Sequence, residues 1–141
     1  MTRPVLTLRD LRVLLSSSAA KAGPNEDAVA VRATWEQTFN SGDADKIAAL
    51  YTKDAMMFGS IAQLVTGTDG VRTYFSKLPA GIVRMGDQQA IPHGPDLLFS
   101  SGFADFTLAN GTVLPYRLTL ALVKVDGKWL VAQHHGSPVP E

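Results

Sequence analysis

The stretch Val123–Pro138, VKVDGKWLVAQHHGSP, reads as two strands joined at Asp126-Gly127. A two-residue type I′ turn needs positive φ at both central residues, and Asp-Gly supplies it at low steric cost. The second strand carries Trp129, Leu130 and Val131 and then ends on two adjacent histidines, His134 and His135. Neighbouring residues of a strand point to opposite faces of its sheet. The two imidazoles are therefore expected to diverge unless a bulge intervenes.

Upstream of this hairpin the same pattern repeats. DLLFSSGFADFTL and TVLPYRLTLALVKV flank Ala109-Asn110-Gly111-Thr112, where Asn-Gly again marks a tight hairpin. VRMGDQQAIPHG, with Gly86 and Pro92, suits an edge strand, because a central strand tolerates neither residue well. The C-terminal half is thus expected to be an antiparallel meander.

Tight turns fix register, and register fixes which side chains share a face. With Val125 opposite Lys128 and Ala109 opposite Thr112, one face collects Phe103, Asp105, Tyr116, Leu118, Leu120, Gln133 and His135. The other collects Gly102, Ala104, Arg117, Thr119, Ala121, Ala132 and His134. Both faces are apolar along the central strands, so both are expected to be covered. The face with the larger side chains is assigned to the helices and to any cavity beneath them. The smoother face is assigned to a second subunit in a two-fold dimer.

The N-terminal half is helical. Asn25 is read as the cap of a first helix with Glu26 and Asp27 in its first turn, and Ala28, Val31, Trp35 and Phe39 form one apolar stripe along it. Gly42 ends that helix, Asp43 caps a second, shorter one, and a third runs from about Thr68 until Pro79 stops it. Between the last two, Ala55–Phe58 reads as a short strand. Helices first and an antiparallel sheet afterwards define the α+β class.

Composition narrows the functional classes. A chain of 141 residues fits one domain, and 45% hydrophobic with 18% charged residues marks a globular one. Net charge is +0, which argues against a basic nucleic-acid surface or a polybasic membrane anchor. The chain has no cysteine, so neither a disulfide framework nor thiolate chemistry is available. Residues 1–24 read as an N-terminal arm or short helix ahead of a domain at residues 25–141. Arg9, Asp10 and Arg12 interrupt the apolar run that a secretion signal needs, so a cytoplasmic protein is expected, with secretion left open.

Three stretches together resemble the NTF2-like superfamily: FNSGDADKIAALYTKDA from Phe39, GTDGVRTYF from Gly67, and the closing hairpin VKVDGKWLVAQHHGSP. The hairpin is similar to that of the SnoaL-like proteins, in particular the SgcJ/EcaC group of DUF4440 type. It is also similar to that of the association domain of calcium/calmodulin-dependent kinases. The resemblance implies a cone, a curved antiparallel sheet wrapped around a long N-terminal helix with two shorter helices, and a pocket at its open end. It also implies dimers through the outer sheet face. It does not imply one activity, since folds of this kind host isomerases, dehydratases, cyclases and assembly modules. Steroid isomerases of the superfamily carry a general-base aspartate just after the first short strand, where this chain has Met56, Met57, Phe58, Gly59 and Ser60. An arginine of the kinase association domain's pocket aligns with Leu120.

The candidate catalytic residues are Asp105, Tyr116 and His135, a carboxylate, a phenol and an imidazole that the assumed register places on one face near the strand ends. Such a set can move protons beside an apolar ligand. Trp35, Tyr51, Phe58, Phe75, Phe103, Leu120 and Gln133 are the candidate ligand contacts, with ordinary core packing as their alternative reading. His93, His134 and His135 are the only histidines, and no metal site is expected of them. No phosphate loop or dinucleotide fingerprint is present, so no cofactor is expected. The expected partner is a small organic molecule, bound for isomerase, dehydratase or cyclase chemistry. The alternative is a non-catalytic dimeric accessory or assembly module.

Overall fold

The computed structural model describes residues 23–141; the proposed N-terminal arm lies almost wholly outside them. Helix α1 spans Pro24–Asn40, α2 Ala44–Ala48 and α3 Gly67–Ser76. Strands β1 (Tyr51–Phe58), β2 (Val65–Thr66), β3 (Gly81–Pro92), β4 (Leu97–Leu108), β5 (Val113–Val125) and β6 (Lys128–Pro138) form one sheet in the order β2-β1-β6-β5-β4-β3. The chain is α+β, as expected. Strands β3 to β6 are the anticipated antiparallel meander, and β1 joins it alongside β6 in parallel.

Local chemistry accounts for most element ends. Pro24 opens α1, where its fixed φ suits the first turn. Asn25 does not cap the helix; its side-chain oxygen accepts from Gln88 at 2.8 Å. Asp43 caps α2 as expected, accepting from the Lys46 N–H at 3.1 Å. At the far end of α1, Asn40 reaches the edge strand. Its amide donates to the Val83 carbonyl at 3.0 Å and its oxygen accepts from the Val83 N–H at 2.7 Å.

Two departures from the expected register decide which residues face inward. Asp126 and Gly127 do both take positive φ, and Val125 pairs with Lys128. The β4–β5 loop, however, holds three residues, not two. Thr107 pairs with Val113, Gly111 takes φ 87°, and Asn110 Oδ1 accepts from the Thr112 N–H at 3.0 Å. This is the three-residue hairpin whose last residue needs the left-handed region, and it moves β4 by one position against β5. The second departure is a bulge in β6. Leu122 pairs with Val131 but Ala121 pairs with Gln133, so Ala132 is extra. Beyond it every side chain of β6 changes face.

The inner face accordingly carries Leu98, Ser100 and Ala104 of β4, Leu118, Leu120 and Leu122 of β5, and Val131 and His134 of β6, all buried. Ala28, Arg32 and Trp35 of α1 cover it. A third irregularity bends the edge. Gly86 and Asp87 of β3 together oppose Phe103, whose carbonyl accepts from Arg32 Nη2 at 2.7 Å. Gly102 lies against this bend, and a Cβ there would press into the Asp87 carbonyl oxygen and the Gln88 backbone. Replacing Gly102 by alanine is expected to cost about 1–3 kcal/mol in urea unfolding, while Ser101→Ala on the exposed face shifts the midpoint by less than about 0.5 kcal/mol equivalent.

Candidate functional site

A cavity of about 130 Å³ opens between α1, α3 and the inner face of the sheet. Its buried end is formed by Trp35, Phe75, Leu118 and His134, and its rim by Tyr74, Leu78, Ile82, Phe106, Leu114 and Tyr116. The aromatic rings pack against one another: Trp35 stacks on Phe39 with centroids 5.1 Å apart, and Phe75 meets Trp35 edge-on at 5.8 Å. Among the described residues, no aspartate, glutamate, lysine or arginine lines the space.

The polar element of this wall is built from three distant parts of the chain. The Trp35 indole N–H on α1 donates to the Tyr51 hydroxyl oxygen at 2.9 Å, meeting the requirement that a buried indole find a partner. Tyr51 opens β1, and its oxygen lies 2.7 Å from His134 Nδ1 on β6. The two rings are nearly parallel, with centroids 6.0 Å apart. Burial raises the Tyr51 pKa, so the phenol keeps its proton. Burial, with a smaller contribution from the neighbouring His135, pushes His134 down to about 3, so it is neutral at ordinary pH.

The sequence-level candidates divide between the two faces. Trp35, Phe75 and Tyr116 line the cavity, Tyr51 stands one hydrogen bond behind it, and Leu120 is buried core. Asp105, His135, Phe103, Phe58 and Gln133 are exposed on the outer face. The face assignment is therefore corrected for Asp105, Phe103, Gln133 and His135, for the two reasons of register given above, while Phe58, expected as a ligand contact, pairs with His135 and faces outward with it. Asp105 pairs with Pro115, and Ala104, not Asp105, shares a face with Tyr116. The two histidines do diverge, but the bulge at Ala132 turns His134 inward and His135 outward, against Phe58 at 5.6 Å between centroids. Asp105 and His135 hence have no access to the cavity that Tyr116 lines.

Sequence reasoning missed Arg32 and His134. Arg32 lies on the α1 stripe, four residues after Ala28 and three before Trp35, a spacing that could have revealed it. It is 2% exposed, burial lowers its pKa, and among the described residues Nη1 has no hydrogen-bond partner. Among the described residues no cluster of His, Cys, Asp or Glu is placed to hold a metal ion, and no helix is long and apolar enough to cross a membrane.

The fold and cavity define an α+β cone with an enclosed apolar end. The SnoaL-like domain profile matches residues 29–141, and the chain belongs to that family. Solved structures agree. The chain is 25% identical to a Xanthomonas campestris protein described as a calcium/calmodulin dependent protein kinase II association domain, over 82% of this chain and 88% of that one, with a TM-score of 0.76. A Chlamydomonas reinhardtii hub homology domain of the same kinase gives 19% identity over 84% of this chain and 100% of the other, with a TM-score of 0.71. An NTF2-like protein from Novosphingobium aromaticivorans gives 12% identity over 94% and 90%, also with a TM-score of 0.71. The NTF2-like fold expected from the sequence is the fold of the molecule. Comparison with curated proteins returns no match.

The depressed pKa of His134 gives a pH signature. Its folded value of about 3 lies below the ordinary 6.5, so the unfolded chain binds a proton there that the folded chain does not. The stability it contributes is complete above about pH 6.5 and falls as pH drops from there toward about 3, by at most ~1.4 kcal/mol per pH unit. Tyr51 and the Trp35 N–H are the polar groups bonded around it, and neither carries charge in this range. Urea unfolding between pH 7 and 4 should show a steeper acid loss for the native protein than for His134→Gln. Parallel curves would show that His134 is not held neutral.

Proposed function

We propose that the protein binds a compact, mostly apolar organic molecule inside the cone. The observation that carries this reading is the cavity itself, which no charged side chain lines among the described residues and which a neutral histidine closes at its buried end. Its 130 Å³ is below the roughly 300–1,000 Å³ of drug-sized pockets but close to the ~150 Å³ in which a dry protein cavity takes up benzene. A ligand of about one six-membered ring fits. Proton transfer by Asp105, Tyr116 and His135 acting together draws no support from this geometry, because two of the three face outward. Binding without turnover is the reading adopted.

Benzene, titrated into the ¹⁵N-labelled protein, is expected to shift the indole resonance of Trp35 and the amides of Leu118 and Gly136. Shifts confined to the outer face, or none at saturation, would refute the reading.

The accessory or assembly role is retained beside it as a dimer. Met56 (44% exposed), Phe58 (43%), Phe99 (41%), Phe103 (52%) and Ile91 (61%) stand on the outer face of the sheet, too many large apolar groups for a face that meets only water. Two of the similar structures are described as an association and a hub domain, words that denote assembly. A second copy of this chain is the occupant proposed, packed sheet to sheet. Sedimentation at micromolar concentration should give a dimer, and Phe103→Asp should shift it to monomer without altering its far-ultraviolet circular dichroism. A native monomer would refute the dimer.

A further inference from the structure

The hydrogen-bond chain that ends at His134 has a direction, and the direction decides what the cavity accepts. An indole N–H can only donate, so the Trp35 bond to Tyr51 uses one lone pair of the phenol oxygen. One proton must lie between that oxygen and His134 Nδ1. If Nδ1 carried it, the Tyr51 hydroxyl hydrogen would have no acceptor in a buried setting, a defect that folded proteins avoid. With the proton on Tyr51, the hydroxyl donates to Nδ1 and each donor in the chain is used. His134 is then neutral and carries its own proton on Nε2.

Nε2 lies on the cavity side. A Cβ built on Gly136 would stand 3.5 Å from Nε2 and 3.9 Å from both Tyr116 Cδ1 and Leu118 Cδ1. Gly136, Tyr116 and Leu118 all line the cavity. The missing side chain at Gly136 leaves room in front of the imidazole.

The geometry points to a ligand class: a neutral ring compound bearing a carbonyl oxygen, which accepts from His134 Nε2–H while its hydrocarbon part fills the aromatic end of the cavity. This rests on the reading that the cavity takes an apolar molecule. The wall selects against the alternatives. Among the described residues, a carboxylate would lose its hydration with no cation to replace it, and an ammonium would meet no carboxylate. A hydrocarbon of the same shape would leave Nε2–H unpaired. A hydroxyl can accept the same bond, but must then place its own hydrogen on a rim hydroxyl such as that of Tyr74 or Tyr116, a second constraint that a carbonyl does not carry.

Two measurements on the full chain test this. Long-range ¹H–¹⁵N correlation of the imidazole at pH 7 should show His134 protonated at Nε2 and bare at Nδ1; the opposite tautomer would overturn the inference. Cyclohexanone and methylenecyclohexane, which share a shape and differ in one oxygen, are then titrated separately. Cyclohexanone is expected to bind about tenfold more tightly, the worth of one hydrogen bond. Equal affinities would overturn the inference and leave the apolar-cavity reading standing. No binding of either probe would overturn both. Gly136→Val, which fills the space before Nε2 but leaves the chain from Trp35 to His134 in place, should weaken cyclohexanone at least tenfold. Unchanged affinity there would place the ligand elsewhere.

Discussion

One buried chain of two hydrogen bonds, from Trp35 through Tyr51 to His134, ties together the long helix, the first strand and the last strand. These three groups are far apart in sequence, and none of them can be satisfied alone. The indole needs an acceptor, the phenol needs both a donor and an acceptor, and the imidazole needs a proton partner on one nitrogen. Their mutual satisfaction fixes the depth at which α1 lies in the cone. It also sets β6 beside β1 with the tyrosine and histidine rings stacked. The apolar core around them, with Leu118, Leu120, Leu122, Met57 and Val131 all buried, supplies the burial. The polar chain supplies the specificity of arrangement, since a one-residue slip would leave three buried groups unpaired.

The same interior shows how differently two buried polar groups are handled. His134 lowers its cost by staying neutral. Arg32 cannot do so at ordinary pH and instead bonds the carbonyl of Phe103, where β3 bulges and the ladder is locally disturbed. Removing that bend would deprive the guanidinium of its acceptor, and removing the guanidinium would expose the acceptor. The bend and the charge belong to one local solution, separate from the aromatic cavity a turn further along α1.

Much of the architecture was legible in the residues. The Asp126-Gly127 turn, the stripe of Ala28, Val31, Trp35 and Phe39, the Asp43 cap and the edge position of the Pro92 strand each follow from a local rule and each stands in the structure. Face assignment was less accessible, because parity is cumulative. Ala109-Asn110-Gly111 serves a two-residue or a three-residue turn equally well, and the choice moves Asp105 from one side of the sheet to the other. The bulge at Ala132 involves no glycine or proline and has no local signature; it falls where β1 also shifts its register against β6, between Tyr51 and Met56. Each error is one residue, yet each reverses everything beyond it. Trp35 and Phe75, nearest a correctly read feature, were found, as was Tyr116 on the central strand, whereas Asp105, Phe103, Gln133 and His135, which lie beyond a misread turn or bulge, were not.

The Asn40 side chain has a wider consequence. By offering Val83 both a donor and an acceptor, it imitates one residue of an additional strand and occupies the exposed border of β3 at that point. Further along the same border, the doubled residues Gly86 and Asp87 and the imino nitrogen of Pro92 spoil the template. On the opposite side β2 offers only Val65 and Thr66. Neither margin can easily recruit a foreign strand, so growth of the sheet into a ribbon or fibril is blocked at both ends. The broad outer surface of the sheet, and not its margins, is thus the face on which the proposed pairing of two copies would close on itself.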